Sequence, residues 1–335
     1  MKQIYFMGID ISKEKIDCAV INRSNQVQIE KAVKNKRESI GAFLKQVLKR
    51  LKVSQPEILI CCEETGLYTR PLKLACAELG IILWVESAFK IKKATTDLRG
   101  KSDKKDALRI AEYSLRYHDK QRAYIEPQKE EALLQNLLKA REAILDKITR
   151  FQQELNETKG FDKAKYEVLK ACYSRSIKLL KAEKKAIEQK ISKEAEAKAE
   201  IAQNSVLLKS ITGIGTQVAL EFIVYTHNFR LFSSPKQLAC YAGVAPFPNE
   251  SGTITKRSRV SNYANKKLKK LLHLAAMAAS RAKGELRDYY IRKVKEGKNK
   301  MAVLNAIRNK LVHRMFAVIR RQAPYTAIAQ NLSIN

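Results

Sequence analysis

Two apolar runs that each end on a carboxylate restrict the folds open to this chain more than any other feature. Ile4-Tyr5-Phe6-Met7-Gly8-Ile9 runs into Asp10, and Ile58-Leu59-Ile60-Cys61-Cys62 runs into Glu63. Runs of this length read as strands. A third acidic element follows in Lys101-Ser102-Asp103-Lys104-Lys105-Asp106-Ala107, where Asp103 and Asp106 are spaced to share one face of a helix that begins there. Carboxylates at the ends of neighbouring strands, joined by two from a helix, can converge on a hard divalent cation. Such a centre aligns a phosphodiester and neutralises its developing charge.

The order of elements in residues 1–125 fits this reading. Strands are expected over Lys2–Ile9, Ile16–Asn22 and Val27–Val33, then a helix over Ile40–Leu51. A strand over Glu57–Cys62, a helix over Leu72–Leu79 and a strand over Ile81–Val85 follow. Three opening strands followed by helix–strand alternation is the order of a ribonuclease-H-like α/β domain, an order that many α/β domains share. Residues 126–200 nearly lose glycine and carry two apolar stripes. One runs through Leu134, Leu138, Ile144, Ile148, Phe151 and Leu155, the other through Leu169, Tyr173, Ile177, Leu180, Ile187 and Ile191, with a break at Thr158-Lys159-Gly160. The spacing predicts either an antiparallel helical hairpin or long helices that pair between subunits.

Residues 201–335 form a third, mainly helical unit. Ile211-Thr212-Gly213-Ile214-Gly215 precedes an apolar helix over Thr216–Tyr225. It reads as a helix-hairpin-helix element, whose glycines let backbone N–H groups approach a phosphate, or as a plain turn between helices. A turn-rich loop is expected over Ala242–Gly252, then helices over Tyr263–Lys283 and from about Met301 to Arg321.

Charge points to a polyanionic partner. The chain of 335 residues has 65 Lys+Arg against 34 Asp+Glu, a net +31. Residues 251–321 hold roughly +17 of it and residues 1–125 roughly +10. The candidate nucleic-acid contacts are Lys13, Gly213, Gly215, Lys256, Arg257, Arg259, Lys266, Lys267, Lys269 and Lys270. No apolar run reaches the roughly 18–20 residues of a membrane span, and no signal-peptide pattern opens the chain. A cytoplasmic, nucleoid-associated protein with no membrane partner is expected. The six cysteines form no Cys-x-x-Cys pair, which argues against a zinc site or a disulfide framework.

Three acidic segments and one C-terminal segment together resemble a known family. Gly8-Ile9-Asp10-Ile11-Ser12-Lys13, Glu63-Glu64-Thr65-Gly66-Leu67-Tyr68 and Lys101–Ala107, followed by Ile211–Gly215, Phe232–Gly243 and Glu250-Ser251-Gly252, are similar to the DEDD-type transposases of the insertion-sequence one-ten family. The Piv-type DNA invertases are its relatives. The resemblance implies a RuvC-like domain with Asp10, Glu63, Asp103 and Asp106 as catalytic, metal-binding residues, a coiled-coil connection and a C-terminal transposase domain. It selects Glu63 over Glu64 because the family's Glu stands two residues before Thr-Gly. It makes Ser251 the nucleophile, a residue that would otherwise read as an ordinary turn serine. The implied cofactor is Mg2+, or Mn2+ in its place. The implied partners are donor DNA, target DNA and a noncoding bridge RNA that pairs with both. A homodimer that assembles into a tetramer is expected, because exchange needs four strands cut and rejoined. Arg109 stands one residue later than the family's usual Arg. Two other functions compete with an RNA-guided serine recombinase: a metal-only junction nuclease in which water attacks, and a non-catalytic nucleic-acid-binding protein.

Overall fold

The computed structural model describes residues 3–94, 103–251, 254–260 and 264–326, excepting the side chains of residues 103–104 and 248–259. The chain separates into two compact units, Met1–Glu126 and Pro127–Asn335.

The first unit is built on a five-stranded mixed sheet. Its strands are β1 (Tyr5–Ile11), β2 (Lys15–Asn22), β3 (Val27–Lys34), β4 (Ile58–Glu63) and β5 (Ile82–Glu86), in the spatial order β3-β2-β1-β4-β5. β1 is antiparallel to β2, and β2 to β3, whereas β4 runs parallel to both β1 and β5. This is the ribonuclease-H-like arrangement expected from the sequence. The parallel strands are apolar on both faces because helices cover both. Met7, Ile9, Ile60, Cys62 and Leu83 pack with Ile40, Phe43, Leu44 and Val47 of α1 (Arg37–Leu51) and Leu72 and Cys76 of α2 (Arg70–Leu79). On the opposite face Phe6, Ile21, Leu59, Cys61 and Trp84 pack with Ile110, Ala111 and Tyr113 of α4 (Asp103–Arg116) and Ile91 of α3 (Ala88–Ala94).

Gly8 sets the distance between α4 and the sheet. A Cβ there would lie 2.1 Å from Ala107 O and 2.2 Å from Ala111 N, so the helix backbone rests directly on the strand. Gly8→Ala is expected to push α4 off β1 and to cost about 3 kcal/mol. Amide hydrogen exchange checks this: protection along Asp106–Arg116 should fall, and unchanged protection would contradict the packing argument.

The second unit begins with a helical hairpin of α5 (Lys129–Lys159) and α6 (Lys163–Glu196). Of the two arrangements open at the sequence level, these helices take the first and pack on each other within one chain. With 31 residues, α5 spans about 46 Å. Asp162 caps α6, accepting from Lys165 N at 2.9 Å. Phe151 stacks on Tyr173 and Arg141 pairs with Glu188 at 2.7 Å, which fixes the register. At its base, Leu134, Leu138, Ile191 and Ala195 join the core of α7 (Ala199–Lys209), α8 (Thr216–Thr226), α9 (Pro235–Tyr241), α10 (Lys266–Arg281), α11 (Glu285–Lys295) and α12 (Lys300–Arg321).

One expectation is corrected here. The segment expected as a turn-rich loop contains a strand, β6 (Pro246–Ser251), which pairs antiparallel with β7 (Ile254–Val260). Its prolines are tolerated because the sheet has only these two strands, and the register slips at Pro248, between Phe247 and Asn249.

Candidate functional site

The face of the sheet that receives α4 also carries the acidic residues. Side chains alternate along a strand, so Phe6, Gly8 and Asp10 share one face of β1, and Leu59, Cys61 and Glu63 share the same face of β4. Asp10 and Glu63 each stand one residue beyond the last paired residues, Ile9 and Cys62. Because Gly8 lets α4 down onto the sheet beside Ala107, the preceding residue, Asp106, arrives at the same place. Burial, with the Asp10 and Asp106 carboxylates beside it, holds the Glu63 carboxyl above the usual glutamate range, and Arg109 pulls the other way. Arg109 forms an ion pair with Asp106 at 2.8 Å. Three of the four expected carboxylates therefore converge. The side chain of Asp103, in the first turn of α4, lies outside the described residues.

The alternation of faces also separates Glu63 from Glu64. Glu64 turns to the other side, where it pairs with Lys73 of α2 at 2.6 Å and accepts from Gly66 N at 3.0 Å. Two further carboxylates flank the centre. Asp17 lies opposite Asp10 on β2 and pairs with Lys15 at 2.9 Å. Glu86 lies beside Glu63 on β5, pairs with Lys90 at 3.0 Å and accepts from the Tyr113 hydroxyl of α4. The signal for Glu86 was present, since it too ends an apolar run, Ile82-Leu83-Trp84-Val85. A row of acids thus crosses four strands: its outer members have their own lysines, and its inner pair faces Asp106 and Arg109.

This donor set suits a hard cation. Its oxygens are anionic, and burial with Asp10 and Asp106 alongside raises the proton affinity of Glu63. Among the described residues no three His, Cys, Asp or Glu side chains are already gathered around a metal position, and the Asp103 side chain is not one of those described.

Ser251 is the last residue of β6 and pairs with Ile254 at the closed end of the hairpin. Its side chain lies outside the described residues, as do those of Lys256, Arg257 and Arg259 on β7. The open end is tied down: Asn265 N–H donates to Tyr241 O at 2.8 Å, and Asn305 Nδ2 donates to Val244 O at 3.0 Å.

The remaining basic and glycine positions divide. Lys13 is exposed in the turn after β1, and Lys266 and Lys270 are exposed one helical turn apart on α10. Lys269 is partly buried beside them. Lys267 corrects the sequence reading: it points inward, pairs with Glu142 at 2.8 Å and Glu221 at 2.9 Å, and covers the Tyr225 ring. Glu221 is almost wholly buried, and burial pushes its carboxyl up against the pull of Lys267. Gly213 has φ +95°, and a Cβ there would lie 2.6 Å from Ala275 O and 2.7 Å from the Ala279 Cβ of α10, so close helix packing accounts for it. Gly215 is exposed at the start of α8 with open space around it.

The split between the lysines predicts two different phenotypes. The Lys266→Ala/Lys270→Ala double variant should weaken binding to every DNA sequence alike and reduce the salt slope by roughly 2, with the melting temperature unchanged. Lys267→Ala strands Glu221 and should cost about 3 kcal/mol of stability. Anisotropy titrations across a KCl series and thermal melts check both, and a stable Lys267→Ala protein with weakened DNA binding would reverse the assignment.

Comparison with known proteins adds matches over both halves. A family model described as a DEDD transposase of the IS110 type matches residues 7–158. A second, described as the transposase IS116/IS110/IS902 family, matches residues 205–291. The pilin gene-inverting protein of Moraxella lacunata is 31% identical over 128 residues, which is 38% of this chain and 40% of that protein. The uncharacterized 44.8 kDa protein of insertion element IS116 from Streptomyces clavuligerus is 28% identical over 120 residues, 36% of this chain and 30% of that protein. The matches thus span less than half the length of these curated relatives. Among solved structures, T. thermophilus RuvC in complex with a Holliday junction substrate aligns with TM-score 0.28 and 16% identity, over 34% of this chain and 96% of that one.

Proposed function

Because the chain belongs to the IS116/IS110/IS902 transposase family, we propose that it cuts and rejoins DNA as the transposase of an insertion sequence. The observation that carries this reading is the convergence of Asp10, Glu63 and Asp106 on one face of the sheet in a chain of net charge +31. Asp10, Glu63, Asp106 and Asp103 would hold Mg2+, with Mn2+ as a substitute. When bound, the ion supplies positive charge to the phosphate oxygens as negative charge develops on them.

Ser251 is the nucleophile in this proposal. Its hydroxyl oxygen attacks the scissile phosphorus, the bond to the leaving sugar oxygen breaks, and that oxygen takes up a proton. The phosphate is then joined to Ser251. Attack by the sugar hydroxyl of another end reverses the step, restores the serine and conserves the phosphodiester. Lys256, Arg257 and Arg259 lie on the strand paired with that of Ser251, Lys256 nearest to it and Arg259 opposite Phe247 towards the other end, and give the hairpin its positive charge. Residues 1–125 supply the acidic centre, residues 126–200 a helical hairpin and residues 201–335 the serine. A bridge RNA pairs with donor and target DNA and so selects both, and the basic C-terminal unit holds these polyanions. A dimer that pairs into a tetramer brings four serines to four strands.

The test is a search for a covalent adduct. Full-length protein is incubated with labelled element-end DNA, copurifying RNA and Mg2+, then run on a denaturing gel. A protein-linked DNA band that is lost on treatment with protease supports the serine mechanism. Cleavage without any adduct replaces it with attack by water, and binding without cleavage removes the enzymatic reading.

A further inference from the structure

The loop that follows Glu63 presents bare apolar side chains in a rigid frame. Leu67 is 81% exposed and Tyr68 41%. Both stand in a single 3-10 turn, Gly66–Thr69, held at each end. Thr69 is fully buried, and its Oγ1 accepts from Thr65 N at 3.0 Å and lies 2.9 Å from Thr65 Oγ1. Gly66 has φ +70°, which favours glycine, and its N–H donates to Glu64, itself fixed by Lys73. Asn35 Nδ2 donates to Tyr68 O at 3.0 Å and to Ser12 O at 2.8 Å. That one amide ties this turn to the loop after β1, which carries the exposed Lys13. Lys34 and Lys36, also exposed, flank Asn35.

A turn backbone held this firmly loses little conformational freedom when its exposed side chains meet a partner. The surroundings of the turn specify that partner. An aromatic ring and an aliphatic side chain stand among lysines, four and five residues beyond a carboxylate of the acidic centre. Phosphates suit the lysines and the flat face of a base suits the ring. We propose that Leu67 and Tyr68 form a stacking platform for an unpaired nucleobase of the DNA strand whose phosphate lies at the acidic centre. This rests on the transposase reading and extends it: the site takes DNA with a base out of its stack rather than an intact duplex.

The full-length chain is tested with two synthetic duplexes, one fully paired and one with a short central bubble that contains 2-aminopurine. The wild-type protein should bind the bubble about tenfold more tightly than the paired duplex and change the 2-aminopurine emission on stacking. Leu67→Ser/Tyr68→Ser should bring the two affinities together and abolish the emission change, with paired-duplex binding unaltered. Tyr68→Phe should retain both properties, because it keeps the ring. Asn35→Ala should weaken the preference without removing an exposed side chain. A double variant that keeps the wild-type preference, or a wild-type protein without one, overturns the platform. A double variant that loses an oligomer in sedimentation yet keeps the preference assigns the surface to a second copy of the chain instead. Failure of the wild-type protein to bind either duplex counts against the transposase reading itself.

Discussion

Ser251→Ala is expected to bind DNA as tightly as the wild-type protein and to exchange no strands. Alanine removes the hydroxyl and adds nothing. Ser251 closes a hairpin whose other end is secured by the bonds from Asn265 to Tyr241 and from Asn305 to Val244, so the backbone has no reason to move. Loss of an enzymatic nucleophile typically lowers the rate by at least about a thousandfold, and in a reaction that passes through a covalent intermediate the residue is not bypassed. Ser251→Cys should retain a fraction of the activity, since a thiol is itself a nucleophile. Recombination between plasmid-borne element ends measures both variants, with DNA binding followed in parallel. Undiminished exchange by the alanine variant would sink the assignment and favour attack by water.

Asp10→Asn, Glu63→Gln and Asp106→Asn should each reduce metal-dependent cleavage by at least about a hundredfold, because each preserves size and removes ligand charge. Glu63 offers a second readout that does not depend on activity. Its folded-state proton affinity is raised by burial and by Asp10 and Asp106. The stability it contributes is complete below its unfolded-state titration and is lost as pH rises through the raised value. In EDTA at about pH 8, Glu63→Gln should therefore melt a few degrees above the wild-type protein, and the gain should shrink towards about pH 4. Mg2+ should raise the melting temperature of the wild-type protein and do much less for the variant. Activity in EDTA equal to that in Mg2+, or identical melting behaviour of the two proteins in both buffers, would contradict the metal centre.

The sequence carried most of the first unit because its strands are continuous apolar runs with little helical periodicity. The choice between Glu63 and Glu64 came from the family's spacing before Thr-Gly, and strand geometry gives it a physical reason: neighbours on a strand face opposite ways, and Glu63 is the one beside Asp10 and Asp106. Features set by distant partners were harder to read. Lys267 looks like its neighbours within the basic run, and only Glu142 and Glu221, from other helices, turn it inward. Gly213 suggested an approach to phosphate, but Ala275 and Ala279 occupy the space that a side chain would need. β6 contains two prolines, which signal a turn locally, and its strand character comes from pairing with β7. α11 escaped notice because it is rich in charge and buries only Leu286 fully. Glu86 ends an apolar run just as Asp10 and Glu63 do, and β5 places it beside Glu63.

The chain has a single tryptophan, and it stands where α4 meets the sheet. Trp84 is 1% exposed on β5, its ring 5.3 Å from that of Tyr113 on the helix that brings in Asp106. Intrinsic emission excited selectively at the red edge of tyrosine absorption therefore comes from this one junction. In a protein with many helices and two units, the spectrum reports a single event, the seating of α4, without any label. A shift of the emission to longer wavelength during a urea titration dates the dismantling of the acidic centre, while circular dichroism of the helical remainder follows its own course.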